Sequence, residues 1–259
     1  MQFGICGGPD LALAAREAGF DYWEWSVPGL LKPLEDDKAF AESLKAARAT
    51  GLPCPVLNLF LPGSHKVTGP AFDMALLKQF VTVTFARAKE AGVSHIVFGS
   101  GGARAVPEGF DQAAATRQIV DFLKMAAPIA AANGVTIALE PLNPKDCNIL
   151  TSVAEGAAVV REAGHPAVKL LVDSYHMLRS DNRPQDIETN GSLFVHTHVA
   201  TKDNRLMPGA EPCDLAPFFN ALKRGGYNGR MSFEGKCEAD PTKLAAGLSA
   251  MKKLAREAR

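Results

Sequence analysis

Thr136-Ile-Ala-Leu-Glu140-Pro-Leu-Asn143 is a short apolar run that ends on a carboxylate and is stopped at once by a proline. A run of this length is too short for a helix, and its β-branched start suits a parallel strand buried on both faces. Glu140 then stands where the strand leaves its sheet, and a charge there is costly unless it is paired or holds a cation. Three later stretches repeat the pattern: Val168-Lys-Leu-Leu-Val-Asp173, Phe194-Val-His-Thr-His198 and Arg230-Met-Ser-Phe-Glu234. Four strands thus close on residues able to bind a metal ion.

Working outward, strand and helix signals alternate along the whole chain. Upstream, strands are predicted at Phe3 to Cys6, Tyr22 to Val27, Pro55 to Phe60 and His95 to Gly99. The intervening helices close on Gly19, Gly51 and Gly92, as glycines just past a helix end do, and a helix from about Asp111 to Asn133 leads into the opening stretch. Downstream, Thr151 is expected to cap a helix with Glu155 in its first turns, ended by Gly164. An irregular segment from Tyr175 to Gly191 follows the sixth strand, and helices from about Leu215 to Arg224 and Pro241 to Ala258 follow the seventh and eighth. Eight β-then-α units in one series predict the α/β class and a single-domain (β/α)8 TIM barrel over residues 1–259. The alternative is an open doubly wound sheet, but the first turn offers only Gly7-Gly8-Pro9 rather than a GxGxxG fingerprint.

Composition narrows the function classes. The 259 residues are 47% hydrophobic, enough for a large core without disulfides, and the 28 basic residues balance the 28 acidic ones. A protein whose main partner is nucleic acid normally carries a basic excess, so that partner is disfavoured. The five cysteines are dispersed without a CxxC pair, which suits a reducing cytosol. Neither a signal pattern nor a bilayer-length apolar run is present. A cytoplasmic protein without membrane partners is expected.

In a barrel, side chains alternate between lumen and helix layer. Placing Glu140 inward also places Ala138 inward; the same phase turns Asp173, His198 and Glu234 into the lumen at the C-terminal mouth, where barrel active sites lie. Taken singly, each of the four is equally well a helix-capping residue. Taken together, three carboxylates and an imidazole at one mouth repel one another unless a cation neutralises them. Such oxygen-rich ligation suits Mn²⁺ first, with Mg²⁺, Co²⁺ or Zn²⁺ as alternatives. His196 lies one layer deeper and reads as a core or supporting histidine.

These motifs resemble the xylose-isomerase-like barrel superfamily of sugar phosphate isomerases and epimerases, in particular its ketose 3-epimerase branch. The resemblance rests on Ala138-Leu-Glu140-Pro-Leu-Asn143, Leu171-Val-Asp173-Ser-Tyr-His176, Val195-His-Thr-His198, Arg205 with Pro208-Gly209, and Phe233-Glu234-Gly235. It implies that Glu140, Asp173, His198 and Glu234 bind one divalent metal, that Glu140 and Glu234 are also the acid/base pair, and that His176 and Arg205 contact substrate. One departure is Pro208-Gly-Ala-Glu-Pro-Cys-Asp214, where many relatives carry a second glycine near an acidic residue. The loop over the site is therefore expected to be shaped differently.

The remaining candidates for substrate binding are Asn143, Glu24 and Lys66. Glu24 shares the inward phase with Tyr22 and Ser26, and reads more readily as a carboxylate bonded within the barrel than as a catalytic group. Lys66, with His65, stands on a long loop that could close over the site. The function expected is metal-dependent epimerisation at C3 of a ketose, by deprotonation and reprotonation between two glutamates through an enediolate. The alternatives in the same class are a lyase acting on a keto sugar or keto-glycoside (dehydratase or C-glycoside cleavage) and an aldose–ketose isomerase of hydroxypyruvate type. An apurinic-endonuclease-like nuclease is disfavoured by the missing histidines at the third and fourth strand ends, and a non-catalytic sugar-binding barrel by the intact ligand set. A small-molecule sugar is the expected partner, with a possible homo-oligomer.

Overall fold

The computed structural model of the chain describes residues Met1–Arg259. Eight parallel strands form one closed barrel in sequence order. They are β1 (Gln2–Cys6), β2 (Tyr22–Ser26), β3 (Val56–Asn58), β4 (His95–Phe98), β5 (Thr136–Leu139), β6 (Val168–Asp173), β7 (Phe194–Val199) and β8 (Arg230–Phe233). The ring closes between β1 and β8, with Gln2 level with Arg230 and Gly4 with Ser232. The long helices Pro9–Ala18, Asp37–Ala49, Met74–Ala91, Gln112–Ala132, Val153–Ala163, Ala216–Arg224 and Pro241–Glu257 form the outer layer. None is long and apolar enough to cross a membrane.

The two-residue period sorts the strands as expected. Tyr22, Val56, Val97, Ala138 and Leu171 meet in the lumen, whereas Ile137, Leu139, Leu170 and Val172 belong to the larger core between strands and helices. Above the lumen cluster the inward positions turn polar. The Tyr22 hydroxyl pairs with Ser232 Oγ at 2.9 Å, and Glu24 and His196 lie beside them without exposure.

Three expectations need correction. The third strand stops at Asn58 instead of reaching Phe60. Leu59 turns into the left-handed region (φ 53°), because Phe60 is already committed to the outer core, where its ring lies 5.5–6.5 Å from Phe80, Phe85, Phe98 and Phe122. The helix after β5 is capped by Ser152 rather than Thr151: Ser152 Oγ accepts the Glu155 N–H, and the Glu155 carboxylate accepts the Ser152 N–H, a reciprocal capping box. The segment after β6 is not irregular throughout. It holds the short helices Ser174–Leu178 and Pro184–Thr189, which, like Val27–Leu30 and Gly101–Arg104, are too short to leave a 3.6-residue period.

Candidate metal centre

Glu140 directly follows β5, Asp173 ends β6, His198 lies in β7 and Glu234 directly follows β8. One ligand atom from each of the four falls within 4.8 Å of the others. His198 Nδ1 lies 3.3 Å from Glu140 Oε1 and 3.3 Å from Glu234 Oε2. Glu140, Asp173 and His198 are buried, and Glu234 is partly open to the cavity. Local structure makes room for them. A Cβ on Gly99 would stand 2.1 Å from Glu140 Oε2, so a glycine there leaves the carboxylate its place. Arg104, fully buried, donates to the carbonyls of Phe98 (2.8 Å) and Glu140 (2.5 Å) and ties the ends of β4 and β5 together.

Beneath this layer stands Glu24. It accepts from His196 Nε2 (2.8 Å), His198 Nε2 (3.1 Å) and Ser232 Oγ (2.7 Å). Burial alone would raise the pKa of Glu24, but the two imidazoles outweigh it and hold the carboxyl well below the usual range. For His198, burial would lower the pKa, yet Glu24 and then Glu234 raise it well above the ordinary imidazole value. With His198 Nε2 donating to Glu24, Nδ1 is the nitrogen turned toward Glu140 and Glu234. This is the carboxylate–histidine arrangement that orients a metal-binding imidazole.

The charge balance at the mouth points the same way. Burial, reinforced by Glu140 and Glu234, raises the pKa of Asp173 although His176 and Arg205 oppose it. Glu234 is instead held low despite burial, by His198 and Arg205. The Arg205 guanidinium reaches both carboxylates, donating through Nη2 to Glu234 Oε2 (2.5 Å) and Asp173 Oδ2 (3.3 Å), and through Nε to the Glu234 carbonyl. Three carboxylates and one imidazole, converging and held by supporting partners, fit a divalent cation that favours oxygen ligands.

The cavity above the cluster holds about 250 Å³ and is lined by Asn58, Leu59, Ser100, His176 and Arg205 together with Glu140 and Glu234. His176 Nδ1 accepts from the Asn143 backbone N–H (3.2 Å) and lies 2.8 Å from Asn143 Nδ2. Its proton is thereby assigned to Nε2, on the side of Asp173 Oδ2 (3.7 Å). Arg205 stacks on the Tyr175 ring, 4.6 Å from its centroid. A larger cavity of about 440 Å³ lies at the opposite end of the barrel, around Met1 and Phe3, without a convergent ligand set.

Three residues expected to meet substrate sit elsewhere. Glu24 is sealed below His198 with no exposure, because the polar floor of the lumen needs its charge. Asn143 is also buried, and is spent on His176, Asp146 and the Lys145 N–H. Lys66 donates to the Gly102 carbonyl at 2.7 Å, stapling its loop to the neighbouring one, and does not line the cavity. Asn58, absent from the expected site residues, also reaches the centre: its Nδ2 donates to Glu234 Oε1 at 3.2 Å. Its signal was available, since Val56 pairs with the inward Glu24 and Asn58 shares its phase. In the loop after β7, Glu211 accepts from Thr201 Oγ1 and from the Asn204 N–H (3.1 Å).

The fold is thus a closed (β/α)8 barrel with three carboxylates and an imidazole gathered at its C-terminal mouth as a candidate metal site. The chain belongs to the xylose isomerase-like TIM barrel family, whose sequence model matches residues 12–254. Among curated relatives, the 3-dehydro-D-guloside 4-epimerase of Escherichia coli (strain K12) is 26% identical over 236 residues, covering 87% of this chain and 86% of that protein. The L-ribulose 3-epimerase of Methylomonas sp. (strain DH-1) is 28% identical over 246 residues, covering 90% and 80%. Among solved structures, the D-psicose 3-epimerase of Clostridium cellulolyticum H10 with D-tagatose superposes with a TM-score of 0.82 at 22% identity, covering 99% and 98%.

Proposed function

We propose that this chain is a divalent-metal-dependent epimerase of keto sugars, acting at C3 of a ketose. The observation that carries the reading is that Glu140 and Glu234 reach one cavity from β5 and β8 and flank the same imidazole nitrogen, each at 3.3 Å. Two carboxylates facing one carbon suit removal of a proton and its return on the other face. A cation held by Glu140, Asp173, His198 and Glu234, Mn²⁺ first, would supply charge stabilisation for the enediolate.

The chain's own residues account for the rest. One glutamate takes the C3 proton, and the other delivers a proton to the opposite face with inverted configuration. Asn58 and Arg205 fix the rotamer of Glu234. His176, protonated on Nε2, donates to a sugar oxygen, and Arg205, seated on Tyr175, donates to another. A second reading moves the same chemistry to the carbon next to a ring carbonyl of a keto-glycoside; it is favoured by the similarity to the guloside 4-epimerase, which spans 86% of that protein. Five unpaired cysteines support a reducing, cytoplasmic setting, and a homo-oligomer is compatible with the reading.

The test is proton exchange in D₂O by NMR, with a panel of ketoses and keto-glycosides and saturating Mn²⁺. Glu140→Gln and Glu234→Gln should each abolish net epimerisation while retaining exchange with one epimer, and the two variants should favour opposite epimers. Near wild-type turnover by either variant would overturn the two-base reading in favour of an isomerase or lyase.

A further inference from the structure

Beside the polar cavity, on the other side of Leu59, lies a second, apolar groove of about 370 Å³ between the loops that follow β2 and β3. Pro33, Leu34, Leu59, Leu61, Pro62 and Phe80 line it, and Leu59 lines the polar cavity as well. The two most exposed large hydrophobic side chains of the molecule, Leu34 (65%) and Leu59 (58%), both stand here. The only charged lining residues, Lys32 and Glu35, pair with each other at 3.2 Å.

The groove is held in shape. Arg87, itself buried, donates to the carbonyls of Leu31, Lys32 and Glu35 and to the Asp37 carboxylate, clamping the loop that carries Leu34. On the other side, Phe60 is locked among phenylalanine rings and Leu59 is turned out with φ 53°. Four non-glycine residues have positive φ; Lys32 and Leu59 line this groove, and Arg205 lines the cavity. A leucine in the left-handed region costs on the order of 1–2 kcal/mol, and such strain persists where the surroundings enforce it, characteristically at ligand sites.

We propose that the groove is a subsite for an apolar group attached to the sugar, so that the physiological substrate is a keto-glycoside with an aryl or alkyl aglycone and Leu59 is a specificity-determining residue. The inference rests on the keto-sugar reading of the cavity. Leu59 lines both the groove and that cavity, so the two adjoin at this residue, and the groove's volume lies at the low end of small-ligand sites, roughly 300–1,000 Å³. A concave slot of three leucines, three prolines and Phe80 falls well short of the roughly 1,200–2,000 Å² that a stable protein interface buries, which speaks against a second copy as the occupant.

The experiment compares D-allulose with the methyl and phenyl glycosides of 3-keto-D-glucose, following deuterium uptake by the Mn²⁺-loaded protein. In parallel, calorimetry compares binding of the unreactive methyl and phenyl β-D-glucosides. Phenyl should exceed methyl by at least ten-fold in both assays, equivalent to about 1.4 kcal/mol. Leu34→Ser and Leu59→Gly should each shrink that ratio at least three-fold; Leu34 is exposed, so its replacement leaves the fold intact. A phenyl-to-methyl ratio near one in both assays overturns the subsite, even where exchange proceeds and the catalytic reading stands. Absence of exchange with every keto sugar, alongside a ten-fold phenyl preference in binding, sinks the catalytic reading and leaves the subsite standing. A dimer dissociated by Leu34→Ser, with no phenyl preference, assigns the face to self-association and overturns the proposal.

Discussion

Gly99 shows how closely the mouth is built. An alanine there would place a methyl group 2.1 Å from Glu140 Oε2, while its backbone remains in a region open to any residue. Gly99→Ala should therefore weaken Mn²⁺ binding at least ten-fold in calorimetric titration and shift Tm by only a few degrees; unchanged affinity would show that the Glu140 carboxylate can move without loss. Glu24→Gln keeps the size but removes the charge to which His196, His198 and Ser232 donate. Loss of such a supporting partner costs roughly 10–100-fold in metal affinity, and the same titration checks it. The four strand-end candidates were legible because a charged residue closing a buried apolar run is chemically conspicuous. Asn58 was not, because a neutral amide at a strand end raises no such alarm, and Arg104 was hidden because sequence does not reveal that a loop arginine will be fully buried.

At the level of elements, strand order, closure and inward phase all followed from counting in twos and locating the glycines that stop helices. Element ends were less legible, and the reasons are local. Thr151 and Ser152 are both good caps by composition, and only the reach of Glu155 decides between them: its carboxylate accepts the N–H of both residues, but the Glu155 N–H goes to Ser152 Oγ. Ser152→Ala should thus lower stability by about 1 kcal/mol in urea unfolding, and Thr151→Ala by clearly less, its hydroxyl making only a 3.4 Å contact. Equal losses would mean that the box contributes little. The early end of β3 reflects competition: four phenylalanine rings behind the sheet claim Phe60, and the residue before it gives up extended geometry.

Across the whole molecule, the end of the barrel opposite the cavity carries its own acid sensitivity. His95 packs against Ser94 Oγ (2.7 Å) and Arg230 Nη1 (3.2 Å). Burial first, then His196 and Arg230, push its pKa down to about 3 from an ordinary 6.5. The unfolded chain therefore binds this proton more readily than the folded one between those values. The stability this provides is complete above pH 6.5 and declines as pH falls toward 3, by up to about 1.4 kcal/mol per pH unit. His95→Asn should flatten the stability–pH curve in that window relative to wild type, measured by urea unfolding at successive pH values; identical slopes would show that His95 titrates normally. Glu24 carries a different implication, which concerns the order of synthesis. It leaves the ribosome in the first tenth of the chain, yet its partners His196 and Ser232 stand 172 and 208 residues later. Until the last strand arrives, a carboxylate destined for complete burial has no imidazole or hydroxyl to receive it, and the polar floor of the lumen cannot form. On the proposed metal-binding reading, capture would be coupled to completion of the chain: a polypeptide truncated before Ser232 lacks the floor and Glu234 together, and in refolding experiments Mn²⁺ should bind only in the final kinetic phase.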